Sequence, residues 1–378
     1  MRALKVLLLL LLFTLPLTAF AQVPLSDKAQ ISLLTCGPGD ELYSVFGHTG
    51  LRVHDPLTNL DVVYNYGQFD FDTPNFYGKF VKGDLQYNVG ISSYEDFVYT
   101  YQYYNRDVFE QFLNLTPVQK QQISDYLIST LQSDKRYYTY KFIDRNCTTK
   151  VADVLNMHLP AKISMENKDR GKTNRRIIYE KLHNKFYENL GIHLMFGYKT
   201  DMEMYQLFLP QQLLEGVAHT KLPSGPLAQP AVTVFKANRD DKPSLWNNCY
   251  TFIVLMLVVA AFSRKKIVQT ASLTVTGLMG LLFSTVGFFS LHEELLQNYN
   301  ALLCSPLCLV LLYFLVKGNS TWIIRMVYIC LASVAVYLVI MINKPHLLMV
   351  SPIIIVTVLI LYMILKQNKN VPAVTVAG

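Results

Sequence analysis

The chain has 378 residues and a formal charge of +7, with 51% hydrophobic and only 16% charged residues. Between residues 22 and 245 Lys and Arg nearly balance Asp and Glu, so the surplus charge belongs to the two hydrophobic regions on either side and gives no argument for nucleic-acid binding. No Gly-rich phosphate loop or paired Cys-x-x-Cys occurs, which removes nucleotide enzymes and zinc ribbons and leaves no cofactor or metal to expect.

Taken in chain order, the first element is a secretory signal. Arg2 and Lys5 precede VLLLLLLFTLPLTAF, and Ala19-Phe20-Ala21 has the small-x-small pattern cut by a signal peptidase. The expectation is a signal peptide over 1–21 and a mature N-terminus at Gln22, with no cysteine there to be lipidated; an uncleaved anchor is the alternative. ISLLTC then reads as a short strand and GPGDELYSVFG as a turn-rich connection. HTGLRVHD and DVVYNYGQFDF form a hairpin around PLTNL; with Asp55 opposite Leu60 or Asp61, Asn65 shares a face with His48.

TPVQKQQISDYLISTLQSD predicts a helix capped by Thr116 with Pro117 in its first position and apolar residues at 123, 127 and 131. RYYTYKFI is a strand-like aromatic run, and NCTTKVADVLNMHL a helix capped by Asn146, with Cys147 in its first turn. Together these give an α+β domain over 22–220, large enough for its own core. A linker over 221–245 begins KLPSGPLAQPAVTV, rich in Pro and Gly.

Five apolar stretches follow, at 246–263, 268–290, 301–316, 321–342 and 346–365, each near the length that crosses about 30 Å of hydrocarbon, the third being short and interrupted by Pro306. If the preceding domain is exported, Arg264, Lys265, Lys266, Lys317, Arg325, Lys366 and Lys369 fall on the inner side and only Lys344 on the outer, as the positive-inside rule requires. The expected arrangement is a periplasmic domain on an all-α five-helix domain over 246–366 in the inner (cytoplasmic) membrane, with a cytoplasmic tail over 367–378.

The position of Cys147 points to chemistry. A helix N-terminus stabilises the thiolate through unpaired N–H groups and the helix dipole, and the same amides can bind an oxyanion. His48 on a neighbouring strand is a candidate base and Asn65 a candidate residue to orient its ring; Asn146 and Thr148 flank the nucleophile as candidate substrate contacts. The competing reading is a Cys36–Cys147 disulfide, since these are the only two thiols in the exported domain. His54, His158, His183, His193 and His219 form no metal-ligand pattern.

LLTCGPGDELYSVFGHTGLRV, followed by YNYGQFDF and YKFIDRNCTTKVADVL, resembles the circularly permuted papain-like fold of the NlpC type, in which His precedes Cys. With the five-helix region, essentially the whole mature chain resembles the Lnb-type lipoprotein N-acyltransferases. The resemblance implies Cys147 as nucleophile and His48 as general base. It also implies two partners, a phospholipid acyl donor and a diacylated lipoprotein acceptor. Lys150 departs from the arginine expected in the turn after the cysteine, which keeps the charge and loses a bidentate contact. A thiol hydrolase on the same scaffold, whether a phospholipase or a peptidoglycan amidase, and a non-enzymatic envelope protein are the alternatives.

Two further stretches invite a lipid reading. Eight Lys and Arg between Lys162 and Lys185 could face anionic headgroups or form a solvated loop. In LHEELLQNYNALL, His292, Glu293, Asn298 and Asn300 lie on the side of Cys147 and could line a lipid access site, His292 and Asn298 being the candidate substrate contacts.

Overall fold

The computed structural model describes residues 24–239 and 244–369. The signal peptide and the end of the tail lie outside these. The N-terminal domain is built on a seven-stranded antiparallel sheet of order β6-β4-β3-β2-β1-β5-β9, from β1 (Gln30–Cys36), β2 (His48–Asp55), β3 (Leu60–Gln68), β4 (Gln86–Ser93), β5 (Val108–Phe112), β6 (Tyr137–Thr139) and β9 (Val232–Phe235). Asp55 pairs with Leu60 and Gly50 with Asn65, so the hairpin takes the expected register.

Period-two alternation divides the strands between two cores. Leu33, Leu51, Val53, Tyr64 and Tyr66 pack with Ile123 and Leu127 of α3 (Pro117–Leu131), Val151 and Leu155 of α4 (Cys147–His158) and Leu213 of α7 (Pro210–His219). On the other face Leu34, Cys36 and Val63 pack with Phe97 and Tyr101 of α2 (Tyr94–Tyr103). A short helix α1 (Phe76–Lys82) joins β3 to β4.

The expected linker is partly folded. It opens with a small hairpin, β7 (Lys221–Leu222) and β8 (Gly225–Pro226), and its VTVF becomes the edge strand β9 against β5. Two Thr/Val alternations on an open sheet edge outweigh the Pro and Gly around them. RYYTYKFI, in turn, yields only three strand residues before an irregular turn bridged between Lys141 and Arg145.

In the C-terminal region α9 (Lys266–Phe289), α11 (Ser320–Met341) and α12 (Leu347–Lys369) are long and apolar enough to cross a membrane. The first expected span is only the 13-residue α8 (Cys249–Ala261). The third is a bent pair, two 3-10 turns over Glu293–Leu302 and then α10 (Leu307–Lys317), broken by 40°. Pro306 caps the start of α10, where a missing N–H costs nothing. Leu190 and Leu194 of α6 (Phe186–Met195) share a core with Phe252, Phe283 and Tyr337, so the two regions pack directly on one another.

Candidate active site

Asn146 holds the start of α4. Its Oδ1 accepts the N–H groups of Thr148 and Thr149 at 2.9 and 3.0 Å, while its amide donates to the carbonyls of Phe142 and Phe208. This capping box removes two of the amides that a bare helix end would offer to an oxyanion. Among the described residues the N–H of Cys147 itself donates to no acceptor, so it is the one amide of this first turn left without a partner.

His48 opens β2, directly after Gly47 at φ +92°, a backbone shape that disfavours any side chain. Its imidazole lies beside the Cys147 thiol. Burial pushes that thiol up, but the His48 charge and hydrogen bond, the Thr49 backbone N–H and the Thr148 hydroxyl outweigh burial and hold it below the ordinary cysteine value. Gly67, at φ +96°, a backbone shape that disfavours any side chain, lies beside Cys147: a Cβ built there would make an ordinary 3.6 Å contact with the Cys147 Cβ.

Behind His48 lies a layer that the sequence reading missed. Tyr101 stacks on the imidazole, with centroids 6.2 Å apart and planes 16° apart, and the guanidinium carbon of Arg106 sits 4.6 Å from the same tyrosine ring. Aromatic spacing in YTYQYY was the available signal, but a tyrosine-rich helix points to packing as readily as to a site. Cys36 pairs with His48 across β1 and β2, is 1% exposed and hydrogen-bonds Tyr101; burial raises its thiol far above the ordinary range, so it stays protonated. Both Cys36 and Cys147 are free thiols, each with its own partner, which is not the bridge weighed from the sequence.

Asn65 occupies the face of His48, two positions deeper, and its amide donates to Ser92 Oγ at 3.1 Å. Among the described residues it makes no hydrogen bond to the imidazole. Thr148 is fully buried and meets Thr49 Oγ1, and Asn146 is 5% exposed, so both build the site and neither faces a ligand. Asn298 is buried too, donating to the carbonyls of Leu194 and Met195. His292 is half-buried with Nε2 on the Phe80 carbonyl at 2.9 Å, at the margin of α1. The basic stretch is internally paired: Arg175 with Asp201, Lys172 with Asp169 and Glu180, Arg176 with Glu180, Arg170 with Glu166. Among the described residues, Lys162, Lys181 and Lys185 have no acidic partner. Lys150 lies 5.6 and 5.5 Å from the rings of Tyr66 and Tyr138.

The loop after α9 reaches the turn that delivers Cys147. Glu294, fully buried, accepts the Ile143 N–H at 3.0 Å, and its carbonyl accepts the Gly197 N–H at 2.6 Å. Glu293 pairs with Lys141 and, at 2.6 Å, with Lys199, which also pairs with Asp144. These two lysines hold the Glu293 carboxyl down at about 2.

The Lnb N-terminal periplasmic domain matches residues 20–180, and the Lnb transmembrane domain matches residues 239–370. The chain belongs to the Lnb family. It is therefore a membrane protein with a periplasmic N-terminal part, and the match to the Lnb periplasmic domain takes in both His48 and Cys147. No curated protein and no solved structure matches it. The segment between the two Lnb matches contains α6, which packs against the membrane helices, and α7 and β9, which pack on and extend the sheet.

Proposed function

We propose that this Lnb protein is a cysteine-dependent apolipoprotein N-acyltransferase of the inner membrane, with its catalytic domain periplasmic, its C-terminus cytoplasmic and a permuted papain-like scaffold carrying the dyad. The observation that supports it most is the contact of Cys147, at the head of α4, with His48, in a domain locked onto membrane-spanning helices through Glu293 and Glu294. A peptidoglycan amidase has no use for that lock.

In this reading the Cys147 thiolate attacks an ester carbonyl of a phospholipid. The C–O bond to the glycerol breaks and His48, holding the thiol proton, gives it to the departing lysophospholipid. The Cys147 N–H holds the oxyanion. The α-amine of a diacylglyceryl-cysteine then attacks the thioester carbonyl, losing its proton to His48, and the thiolate leaves. One active site alternates between donor and acceptor, so the kinetics are ping-pong.

The test is intact-mass analysis of the full chain after incubation with phospholipid vesicles. An added acyl chain that hydroxylamine removes, absent in Cys147→Ala and present in Cys36→Ser, supports the reading; no adduct in the wild type overturns it. Addition of a diacylated lipopeptide then separates transfer to its amine from hydrolysis, the outcome that would make the protein a phospholipase.

A further inference from the structure

Helix α1 buries none of its seven residues. Its sequence, FYGKFVK, places Phe76, Tyr77, Phe80 and Val81 at i, i+1, i+4 and i+5, an apolar face on which Phe76 packs against the domain core while Tyr77, Phe80 and Val81 stay exposed. Such a face needs a cover, and the fold indicates which one. The Ser290 hydroxyl donates to the Val81 carbonyl at 3.0 Å, the Leu291 N–H to the Lys82 carbonyl at 2.7 Å and His292 to the Phe80 carbonyl. All three follow directly on the end of the membrane-spanning α9 at Phe289, so α1 is fixed at the outer end of that span, where Phe288 and Phe289 are themselves exposed.

From α1 the aromatic surface runs back toward the nucleophile. Phe80 neighbours Phe76 at 6.3 Å between centroids, Phe76 neighbours Phe71 at 5.0 Å, and Phe71 neighbours Phe69 at 4.9 Å. Phe71 is 61% and Tyr77 80% exposed. Two residues before Phe69 is Gly67, whose backbone lies against Cys147, and Phe69, Phe76 and Cys147 flank the same core. The strip thus has one end at the membrane surface and the other at the thiol.

We infer that this strip, from Phe80 through Phe76, Phe71 and Phe69 to Gly67, is the track on which the donor phospholipid's acyl chain lies between the membrane and Cys147. The inference rests on the acyl-transfer reading and deepens it. An alkyl chain suits an all-aromatic strip because it carries no polar group to satisfy, whereas a peptide would bring backbone N–H and C=O groups that four phenylalanines cannot pair.

The experiment uses the full chain in vesicles containing a phosphatidylethanolamine with a diazirine in its acyl chain. Irradiation should label residues 69–81 in the wild type and equally in Cys147→Ala, which cannot form the thioester; labelling confined to other segments overturns the track. Phe71→Asp should slow thioester formation from vesicles by about tenfold or more while iodoacetamide alkylation of Cys147 stays within about twofold. Phe71→Leu, which keeps the surface apolar, should retain the rate. Equal rates in all three proteins, or equal losses in Asp and Leu, overturn the inference. A wild type that labels at 69–81 but forms no thioester overturns the transferase reading alone, and one that forms the thioester but labels elsewhere overturns the track alone.

Discussion

Thr49 and Thr148 join their hydroxyls at 3.1 Å with no solvent exposure at either side chain. One residue follows His48 and the other follows Cys147, so this bond ties β2 to α4 and holds His48 and Cys147 close. Thr148→Val leaves the Thr49 hydroxyl buried and unpaired, at a cost of about 1–3 kcal/mol, while Thr49→Val leaves the Thr148 hydroxyl only its 3.9 Å contact with Cys147 Sγ. The double variant should be less destabilised than the sum of the two. Thermal unfolding checks this coupling, and both single variants should also alkylate more slowly at Cys147.

Removing His48 reverses the balance at the thiol. With its charge and hydrogen bond gone, burial becomes the dominant influence on Cys147, and the pKa moves from below the ordinary thiol value to above it. The thiolate fraction at neutral pH then falls. In a pH series of alkylation rates the midpoint for the full chain should lie below that of a free cysteine, and the midpoint for His48→Ala above it. Coincident midpoints would mean that the two side chains do not interact.

Much of this site was legible because local signals and tertiary placement agree. Asn146 caps as its side chain dictates, Thr116 forms its capping box with Gln119, and alternation in HTGLRVHD and DVVYNYGQ fixes the β2–β3 register, since a slip of one residue would turn Leu51 and Val53 out of the core. Tyr101 and Arg106 were not legible, because their role depends on α2 crossing the opposite face of the sheet, which no period encodes. The polar residues of the outer loop misled for a related reason. Asn298 and Asn300 have the composition of a ligand site, yet each is consumed by backbone carbonyls of α6. VTVF was read as linker because its pairing partner, β5, lies more than a hundred residues earlier.

Where the domains meet, His193 is 1% exposed, with one ring nitrogen 2.9 Å from the Asn189 carbonyl. Burial first, and then the Arg175 guanidinium, lower its pKa to about 4, against a backbone contribution and Asp201 that raise it. The folded state therefore takes up its proton later than the unfolded chain does. Stability from this residue is complete above the unfolded value near pH 6.5 and declines as pH falls from there toward 4, by on the order of 3 kcal/mol in total. Melting temperatures between pH 7 and pH 4.5 should fall in the wild type and fall less in His193→Gln; equal slopes would assign the acid sensitivity to other groups.

The buried Glu294 is the most direct test of whether the membrane region shapes the site. Its Oε1 accepts the N–H of Ile143, four residues before Cys147, and it belongs to the loop that follows α9. Glu294→Gln keeps a carbonyl oxygen for that bond, whereas Glu294→Leu leaves the Ile143 N–H buried and unpaired, a loss of about 1–3 kcal/mol. If the outer loop holds the catalytic turn in place, Glu294→Leu should slow thioester formation by about tenfold or more while the protein stays folded and membrane-inserted, and Glu294→Gln should recover most of the rate. Equal rates in the two variants would make the loop a tether only. A loss in Gln as large as that in Leu would assign the effect to the charge, and so to the Glu293, Lys141 and Lys199 cluster beside it.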